Sequence, residues 1–225
     1  MQLCEAQVFV GADLLLQPPH REKIIGKRIA LVSNRAAVTK EGLSLVDLLL
    51  AQADTYHYRL VALFSPEHGF FGEGYGDEAM ADGTWKGVPI YSLHGQARRP
   101  SQVHLRDVDL LIFDLQDLGV RSYTFASTLF YLIEEAARAK IPVLVLDRPN
   151  PINGIIVDGP LLEKEWRSFV GYLEVPLCHG MTMGELALYF NCEYHIGGMV
   201  EVVPMQGWRR EMSYQETGLL WIPTS

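Results

Sequence analysis

Polar side chains follow three short apolar runs of this 225-residue chain, each at the point where a predicted strand ends. The runs are Leu60–Phe64, Leu110–Phe113 and Val143–Leu146, and they lead into the segments SPEHG, DLQDLG and DRPNPING. If the three strands lie parallel in one sheet, these segments emerge together at its carboxyl edge, where open parallel sheets bind ligands. Carboxylates, an imidazole, a guanidinium and amides would then face one crevice. The sequence therefore predicts a polar site at this edge.

Glu67 is the strongest candidate for acid chemistry, because it lies at the turn that leaves the predicted strand Leu60–Phe64. A carboxyl group surrounded by Phe64, Phe70 and Phe71 would be partly desolvated. Desolvation favours the protonated form, which suits a general acid. The alternative is a solvated turn acid beside a structural histidine, His68.

Two acids, Asp114 and Asp117, flank Gln116 directly after a strand that is apolar throughout. Acids this close together could hold a metal ion, act as a base or cap the following turn, and capping is the commoner use of Asp at such places. A few residues further on, Arg121 and Tyr123 could offer a cation and a phenol to an anionic ligand.

The third segment is stiff, because Pro149 and Pro151 restrict the backbone around Asn150. A rigid backbone that presents an amide and the Arg148 guanidinium suits a sugar or a carboxylate ligand. The alternative is an ion pair between Arg148 and Asp147 that braces the loop.

Strand and helix signals alternate along the chain, which predicts βαβ units and a parallel sheet. Further strands are predicted at Lys27–Ser33, Pro89–Leu93 and Val200–Val203. Helices are predicted after Ser44, on the apolar face from Phe125 to Ala136, and from the capping box at Thr182 through Asn191. The Gly-rich segment Ser65–Gly87 has no clear periodicity and is predicted to be a loop.

Composition excludes several classes of protein. A net charge of −8 and a pI near 5.3 argue against a nucleic-acid surface. No run of about 18 apolar residues is present, so no membrane span is predicted. Three widely spaced cysteines give neither a disulfide framework nor a zinc pattern. The spaced glycines of residues 69–76 lack a phosphate-binding signature, so no nucleotide cofactor is expected.

Five segments of the chain resemble the NamZ-type exo-β-N-acetylmuramidases, a bacterial family long known only as a domain of unknown function. The matching segments are Gly26–Asn34, Leu63–Gly69, Ile112–Arg121, Leu146–Gly154 and Cys178–Leu186. The motifs are long and specific, and the resemblance runs from about Gly26 to the end of the chain.

The resemblance implies an α/β, Rossmann-like domain, an open and mostly parallel sheet with helices on both faces, over residues 1–217. Residues 218–225 would begin a linker to a smaller C-terminal domain that completes the cleft. The implied activity is removal of terminal β-linked N-acetylmuramic acid from the non-reducing end of peptidoglycan fragments, without a cofactor. Family members are often exported, although the start of this chain does not read as a signal peptide.

Within this resemblance, Glu67 matches the acid of the family's SPEHG segment and is the leading catalytic candidate. The catalytic candidates are Glu67, His68, Asp114 and Asp117. The candidates for binding substrate are Asn34, Gln116, Arg121, Tyr123, Arg148, Asn150, Asn153 and His179. No residue is predicted to bind a metal.

Several alternatives stay open at the level of sequence. Asp114, Asp117 or the acetamido oxygen of the substrate could serve as the second catalytic group, and Arg121 or Arg148 could bind the lactyl carboxylate of muramic acid bidentately. A metal-dependent hydrolase would instead place a divalent ion among the residues Asp114, Asp117, Asp147 and His68. A sugar-binding module without catalysis would use the same cleft.

Overall fold

A computed structural model of the chain describes residues 7–71, 82–95 and 97–224. The strands are β1 Arg28–Ser33, β2 Arg59–Ser65, β3 Gly83–Trp85, β4 Val88–Ser92, β5 Leu110–Asp114, β6 Val143–Leu146 and β7 Val200–Val203. The α-helices are α1 Gly11–Leu14, α2 Leu45–Tyr56, α3 Gln102–Leu105, α4 Phe125–Ala139 and α5 Met183–Glu193. Short 3-10 helices cover His20–Lys23, Lys164–Trp166 and Gln215–Thr217.

One seven-stranded sheet carries the fold, in the order β3-β4-β2-β1-β5-β6-β7. The pairings β1–β2, β2–β4, β1–β5, β5–β6 and β6–β7 are parallel, and only the pairing of β3 with β4 at the edge is antiparallel in the part of the chain described. The carboxyl ends of β2, β1, β5 and β6 therefore lie side by side. The prediction of an open, mostly parallel α/β sheet is confirmed.

Successive strand residues pack their side chains into two apolar cores, one on each face of the sheet. Ile29 and Leu31 of β1 pack with α1 and α2, whereas Ala30 and Val32 pack on the face covered by α3, α4 and α5. Every residue of β5 is buried, as its continuous apolar sequence requires for a central strand. Helices therefore cover both faces, as predicted.

The predicted helix starts are confirmed by their caps. The Ser44 side chain accepts a hydrogen bond from the Asp47 backbone N–H at the start of α2. Thr182 and Glu185 form the capping box of α5, with hydrogen bonds of 3.2 and 3.0 Å. No helix in the described ranges is both long and apolar enough to cross a membrane.

The prediction that Ser65–Gly87 is a loop throughout is wrong at its far end, where β3 forms a hairpin with β4. Lys86 and Gly87 both have positive φ angles, 48° and 83°, as a tight two-residue hairpin turn requires. The strand is only three residues long and lies at the sheet edge, so its alternation is too short to detect in the sequence. Residues 72–81, which hold most of the spaced glycines, lie outside the described residues.

Candidate active site

Glu67 lies two residues beyond the end of β2, and the structure holds one of its carboxyl oxygens firmly. Thr124, at the start of α4, donates its hydroxyl to Glu67 Oε2 over 2.5 Å. The other oxygen, Oε1, is 3.9 Å from Nδ1 of His94, and the Glu67 side chain is 15% exposed. The site therefore contains a largely buried carboxyl group with one fixed oxygen and limited access to solvent.

The three phenylalanines predicted to surround Glu67 lie in different parts of the structure. Phe64 belongs to the core on the α4 side and lies near Tyr91, whereas Phe70 belongs to the core on the α2 side and packs on Phe71. The described polar contacts of Glu67 are with the Thr124 hydroxyl and the His94 imidazole.

Arg148 and Asp114 form a buried, two-pronged ion pair between the ends of β5 and β6. Arg148 Nε and Nη2 donate to the two Asp114 oxygens over 2.5 and 2.9 Å, and Nη2 also donates to the Val38 carbonyl over 3.0 Å. The two side chains are 5% and 0% exposed. The alternative considered from the sequence, an ion pair of Arg148 with Asp147, is not formed, because the guanidinium reaches across to Asp114 at the end of the neighbouring strand. This pair braces the edge of the sheet and occupies both groups.

Asp147 joins the end of β6 to the start of α5. Its Oδ1 accepts hydrogen bonds from the Gly184 and Arg148 N–H groups, and its Oδ2 accepts one from the Thr182 hydroxyl. Burial raises the pKa of Asp147 to about 6. A Cβ atom at Gly184 would lie 2.8 Å from the Asp147 carboxyl carbon, so this position requires glycine. Asp147 therefore caps a helix and is not placed to bind an ion.

Asp117, Gln116 and His179 form a buried polar cluster beside the brace. Asp117 Oδ2 accepts from the Gly119 N–H over 2.7 Å, and His179 Nδ1 accepts from the Met181 N–H over 3.1 Å. Asp117 Oδ1, Gln116 Oε1 and His179 Nε2 are buried without a hydrogen-bond partner among the described residues. His179 Nε2 lies 3.8 Å from Asp117 Oδ2.

Burial sets the charge state of this cluster. It raises the pKa of Asp117 to about 7 and lowers the pKa of His179 to about 4. Between about pH 5 and pH 6 both groups are therefore mostly uncharged. The cluster is polar but carries little net charge, which suits contacts with uncharged hydroxyl or amide groups more than with an ion.

Replacing Asp117 by Asn tests this buried acid. Between its ordinary value of 3.8 and about 7, the unfolded carboxyl group is ionised while the folded one keeps its proton. Folding then binds a proton, so wild-type stability falls as the pH rises through this window. The Asp117→Asn chain lacks this loss. Relative to wild type, its free energy of unfolding should rise by about 2–4 kcal/mol from about pH 4.5 to about pH 8.

Urea denaturation at the two pH values measures this difference. His179 changes the free energy of unfolding in the opposite direction, because its lowered pKa of about 4 costs stability below its ordinary value of 6.5. This contribution is present in both chains, so it does not enter the comparison between them. Asp54→Asn, at an exposed position of α2, is the matched surface control. A difference between Asp117→Asn and wild type that does not change with pH would contradict the assignment.

Three asparagines predicted to bind substrate make their described hydrogen bonds with the backbone. Asn34 accepts from Ala36 N–H and donates to the Thr224 carbonyl. Asn150 accepts from Ile152 N–H and donates to the Met181 carbonyl. The Asn153 oxygen accepts from two backbone N–H groups of the following turn. These amides shape the loops around the crevice, and a direct role in binding stays a prediction.

The remaining candidates lie in the turns after β2 and β5. Tyr123 shares a 2.5 Å hydrogen bond with the Thr224 hydroxyl, and His68 occupies a turn with a positive φ of 68°. Arg121 Nη1 donates to the carbonyls of Pro160 and Val175, over 2.8 and 2.5 Å. These bonds fix the Arg121 guanidinium while its Nε and Nη2 edge has no described partner.

The structure does not assemble the acids and the histidine of the metal hypothesis. Among the described residues, no group of three or more His, Cys, Asp or Glu side chains is placed to hold a metal ion. Asp114 is bound to Arg148 and Asp147 to the start of α5. The donor set therefore does not favour a metal-dependent hydrolase.

Two neighbours of Glu67, Thr124 and His94, were missed by the sequence analysis. The sequence holds a signal for His94, because it lies two residues after the end of β4, just as Glu67 lies two residues after the end of β2. Thr124 gave no such signal, since a threonine at a helix start usually only caps the helix.

Together, the parallel sheet and the glutamate at its carboxyl edge define an α/β protein with acidic and polar side chains gathered at that edge. The chain belongs to the family described as "Exo-beta-N-acetylmuramidase NamZ, N-terminal", whose model matches residues 29–225. It is 44% identical over 218 residues to the peptidoglycan β-N-acetylmuramidase NamZ of Bacillus subtilis (strain 168), covering 96% of this chain and 52% of that protein. The family predicted from the sequence motifs is thus confirmed.

Two crystal structures of DUF1343 family proteins from Bacteroides fragilis NCTC 9343 share the fold. One superposes with a TM-score of 0.86 at 38% identity and covers 98% of this chain and 56% of that one. The other has a TM-score of 0.77 at 36% identity, with 92% and 54% covered. The chain therefore spans about half the length of the relatives it matches.

Proposed function

We propose that this chain carries the acid-bearing half of a glycosidase that removes terminal β-linked N-acetylmuramic acid from peptidoglycan fragments. The observation that supports this most directly is the Glu67 carboxyl group, held through one oxygen by Thr124 and largely shielded from water. A fixed carboxyl group of this kind can protonate the leaving oxygen of a glycosidic bond. The relative from Bacillus subtilis is named for this activity.

The second catalytic group is proposed by elimination among the alternatives. Asp114 is saturated by Arg148, and the free oxygen of Asp117 is buried. Neither carboxylate is placed to attack an anomeric carbon from solvent. We therefore favour the acetamido oxygen of the substrate as the internal nucleophile, a route that some glycosidases use. The neutral cluster around Asp117 would then serve binding.

A substrate panel tests the proposed activity. Fragments ending in N-acetylmuramic acid and fragments ending in N-acetylglucosamine are incubated with the protein as its gene encodes it, and the released sugars are identified by mass spectrometry. We expect free N-acetylmuramic acid from the first set alone, with or without a chelator. Loss of activity with the chelator would favour the metal-dependent alternative, and binding without release would favour a sugar-binding module.

Arg121 is the proposed anchor for the lactyl carboxylate, since Arg148 is bound to Asp114. Two backbone carbonyls fix Arg121, and its Nε and Nη2 edge has the fork geometry that binds a carboxylate bidentately. Arg121→Lys keeps the charge and loses the fork. We expect about 10-fold or greater weakening of N-acetylmuramic acid binding by calorimetry, with N-acetylglucosamine binding almost unchanged.

Arg106→Lys, at an exposed position after α3, is the control for this substitution. Equal losses for the two sugars would assign Arg121 to holding its loop rather than to recognising the lactyl group.

We also propose that a further domain of the longer relatives covers the open side of the crevice. Thr224 is buried, its carbonyl accepts from the Asn34 amide, and its hydroxyl shares a hydrogen bond with the Tyr123 hydroxyl. Thr224, the last residue that the structure describes, thus contacts two of the candidates for binding substrate. Water on an uncovered face would weaken the electrostatics on which catalysis depends.

The 225-residue chain should therefore melt cooperatively, because both cores are complete in the described sheet, yet turn substrate over slowly. Appending the second half of the Bacillus subtilis relative should raise turnover by about 10²-fold or more. Calorimetry and the release assay measure the two effects. Equal turnover by both polypeptides would place the whole site in this chain.

A further inference from the structure

His94 is a buried imidazole that lies two residues after the end of β4. Its side chain is 5% exposed, and neither ring nitrogen has a hydrogen-bond partner among the residues that the structure describes. Leaving a buried polar group unpaired costs free energy, so such a group in a native structure calls for an explanation. Its Nδ1 lies 3.9 Å from Oε1 of Glu67.

The register of two neighbouring strands places His94 beside Glu67. β2 and β4 are parallel, with Ser65 opposite Ser92, and the two side chains each follow this pair by two residues. The Leu93 N–H donates to the Ser65 carbonyl over 2.8 Å, which ties the two strand ends together. The closeness of His94 and Glu67 is therefore built into the sheet.

A local turn holds His94 in this place. The Ser92 hydroxyl accepts from the His94 N–H and donates to the His94 carbonyl, each over 3.1 Å. The backbone is thus fixed, whereas no residue in the described ranges forms a hydrogen bond with the imidazole itself.

The two oxygens of Glu67 differ in their surroundings. Oε2 already accepts a hydrogen bond from Thr124, so the proton of a protonated Glu67 is carried by Oε1, which faces His94. The 3.9 Å gap exceeds the usual N–H···O length by about 1 Å. The imidazole is therefore near Oε1 but not bonded to it in this state.

We propose that His94 is a positioning residue that binds Glu67 when Glu67 gives up its proton. The inference rests on the proposed function of Glu67 as the general acid. As the glycosidic C–O bond breaks, the leaving oxygen takes the proton from Oε1 and the negative charge stays on the carboxylate. The Nδ1–H of His94 then moves about 1 Å to donate to Oε1, while Thr124 keeps Oε2. His94 keeps its own proton throughout.

This arrangement favours the reaction because the bond forms only as charge develops. A hydrogen bond to the charged form of an acid stabilises that form, and an interaction gained only in the transition state raises the rate. The benefit is largest where the leaving group most needs a proton. A poor leaving group, such as the sugar hydroxyl of a disaccharide, should depend on His94 far more than an activated phenol does.

Three substitutions of His94 test the proposal in the protein as its gene encodes it. His94→Asn keeps an N–H near the place of Nδ1, His94→Gln moves it away, and His94→Leu removes it. The measurement is kcat/KM on N-acetylmuramyl-β-1,4-N-acetylglucosamine and on 4-nitrophenyl N-acetylmuramide. For His94→Gln and His94→Leu we expect about 10- to 100-fold loss on the disaccharide and about 3-fold or less on the aryl glycoside. His94→Asn should recover most of the disaccharide activity.

Several results would contradict the proposed role of His94. Equal losses on both substrates, or no recovery with His94→Asn, would make His94 a packing residue and overturn the proposal, and so would wild-type turnover by all three variants. If His94→Leu fails to fold, the comparison of His94→Asn with His94→Gln carries the same test. Glu67→Gln is assayed in parallel. Full activity of Glu67→Gln would contradict the proposed function itself. If Glu67→Gln loses activity on the disaccharide while the His94 variants keep theirs, only the inference about His94 is contradicted.

Discussion

Glu67→Gln should fold like wild type and lose about 10²–10⁴-fold in turnover of a disaccharide that ends in N-acetylmuramic acid. The substituted amide can still accept the Thr124 hydroxyl bond that fixes the side chain. It has no acidic proton to give to the leaving oxygen, so the loss should appear in kcat rather than in substrate affinity. Release of the free sugar, followed by chromatography, measures the effect.

The control for this substitution is Glu22→Gln, at an exposed position far along the chain from the crevice. It matches the change in charge and should keep wild-type turnover. Activity of Glu67→Gln within a few-fold of wild type would remove Glu67 from the role of general acid.

The second large effect concerns stability. Arg148→Met should destabilise the fold by about 3–5 kcal/mol, because it leaves the Asp114 carboxylate buried without its cation. The pair is 5% and 0% exposed, so solvent cannot take over the lost interactions. Urea denaturation measures the change in the free energy of unfolding.

A double substitution separates the stability due to the ion pair from the cost of burying a single unpaired charge. Arg148→Met combined with Asp114→Leu removes both buried charges and should be less destabilised than Arg148→Met alone. Lys86→Met breaks the exposed pair with Asp47 and serves as the surface control. A loss below about 1 kcal/mol for Arg148→Met would mean that the pair does not brace the sheet edge.

The place of the site could be predicted from the sequence, because it follows from local signals. Continuous apolar runs identified the buried strands, and the parallel arrangement brought their carboxyl ends together. The position of Glu67 could be predicted because it lies two residues after such a strand, and the strand carries it to the edge of the sheet. The capping box of α5 could also be predicted, because its two partners, Thr182 and Glu185, are only three residues apart in the sequence.

The partners within the site could not be predicted, because they depend on the order of the strands. Asp114 and Arg148 are 34 residues apart, and only the pairing of β5 with β6 brings them together. The sequence offered Asp147 as a neighbour for Arg148, but α5 occupies that acid. The nearness of His94 to Glu67 likewise requires the β2–β4 register, which no local pattern reveals.

The most direct test of the account is a crystal structure of the Glu67→Gln protein, in the form its gene encodes, with N-acetylmuramyl-β-1,4-N-acetylglucosamine bound. If Glu67 is the general acid, the glycosidic oxygen should lie within about 3.2 Å of the substituted side chain at position 67. We also expect the lactyl carboxylate at the free edge of Arg121. A disaccharide bound with its glycosidic oxygen beside Asp117, or away from the carboxyl edge of the sheet, would contradict the assignment of Glu67 as the acid.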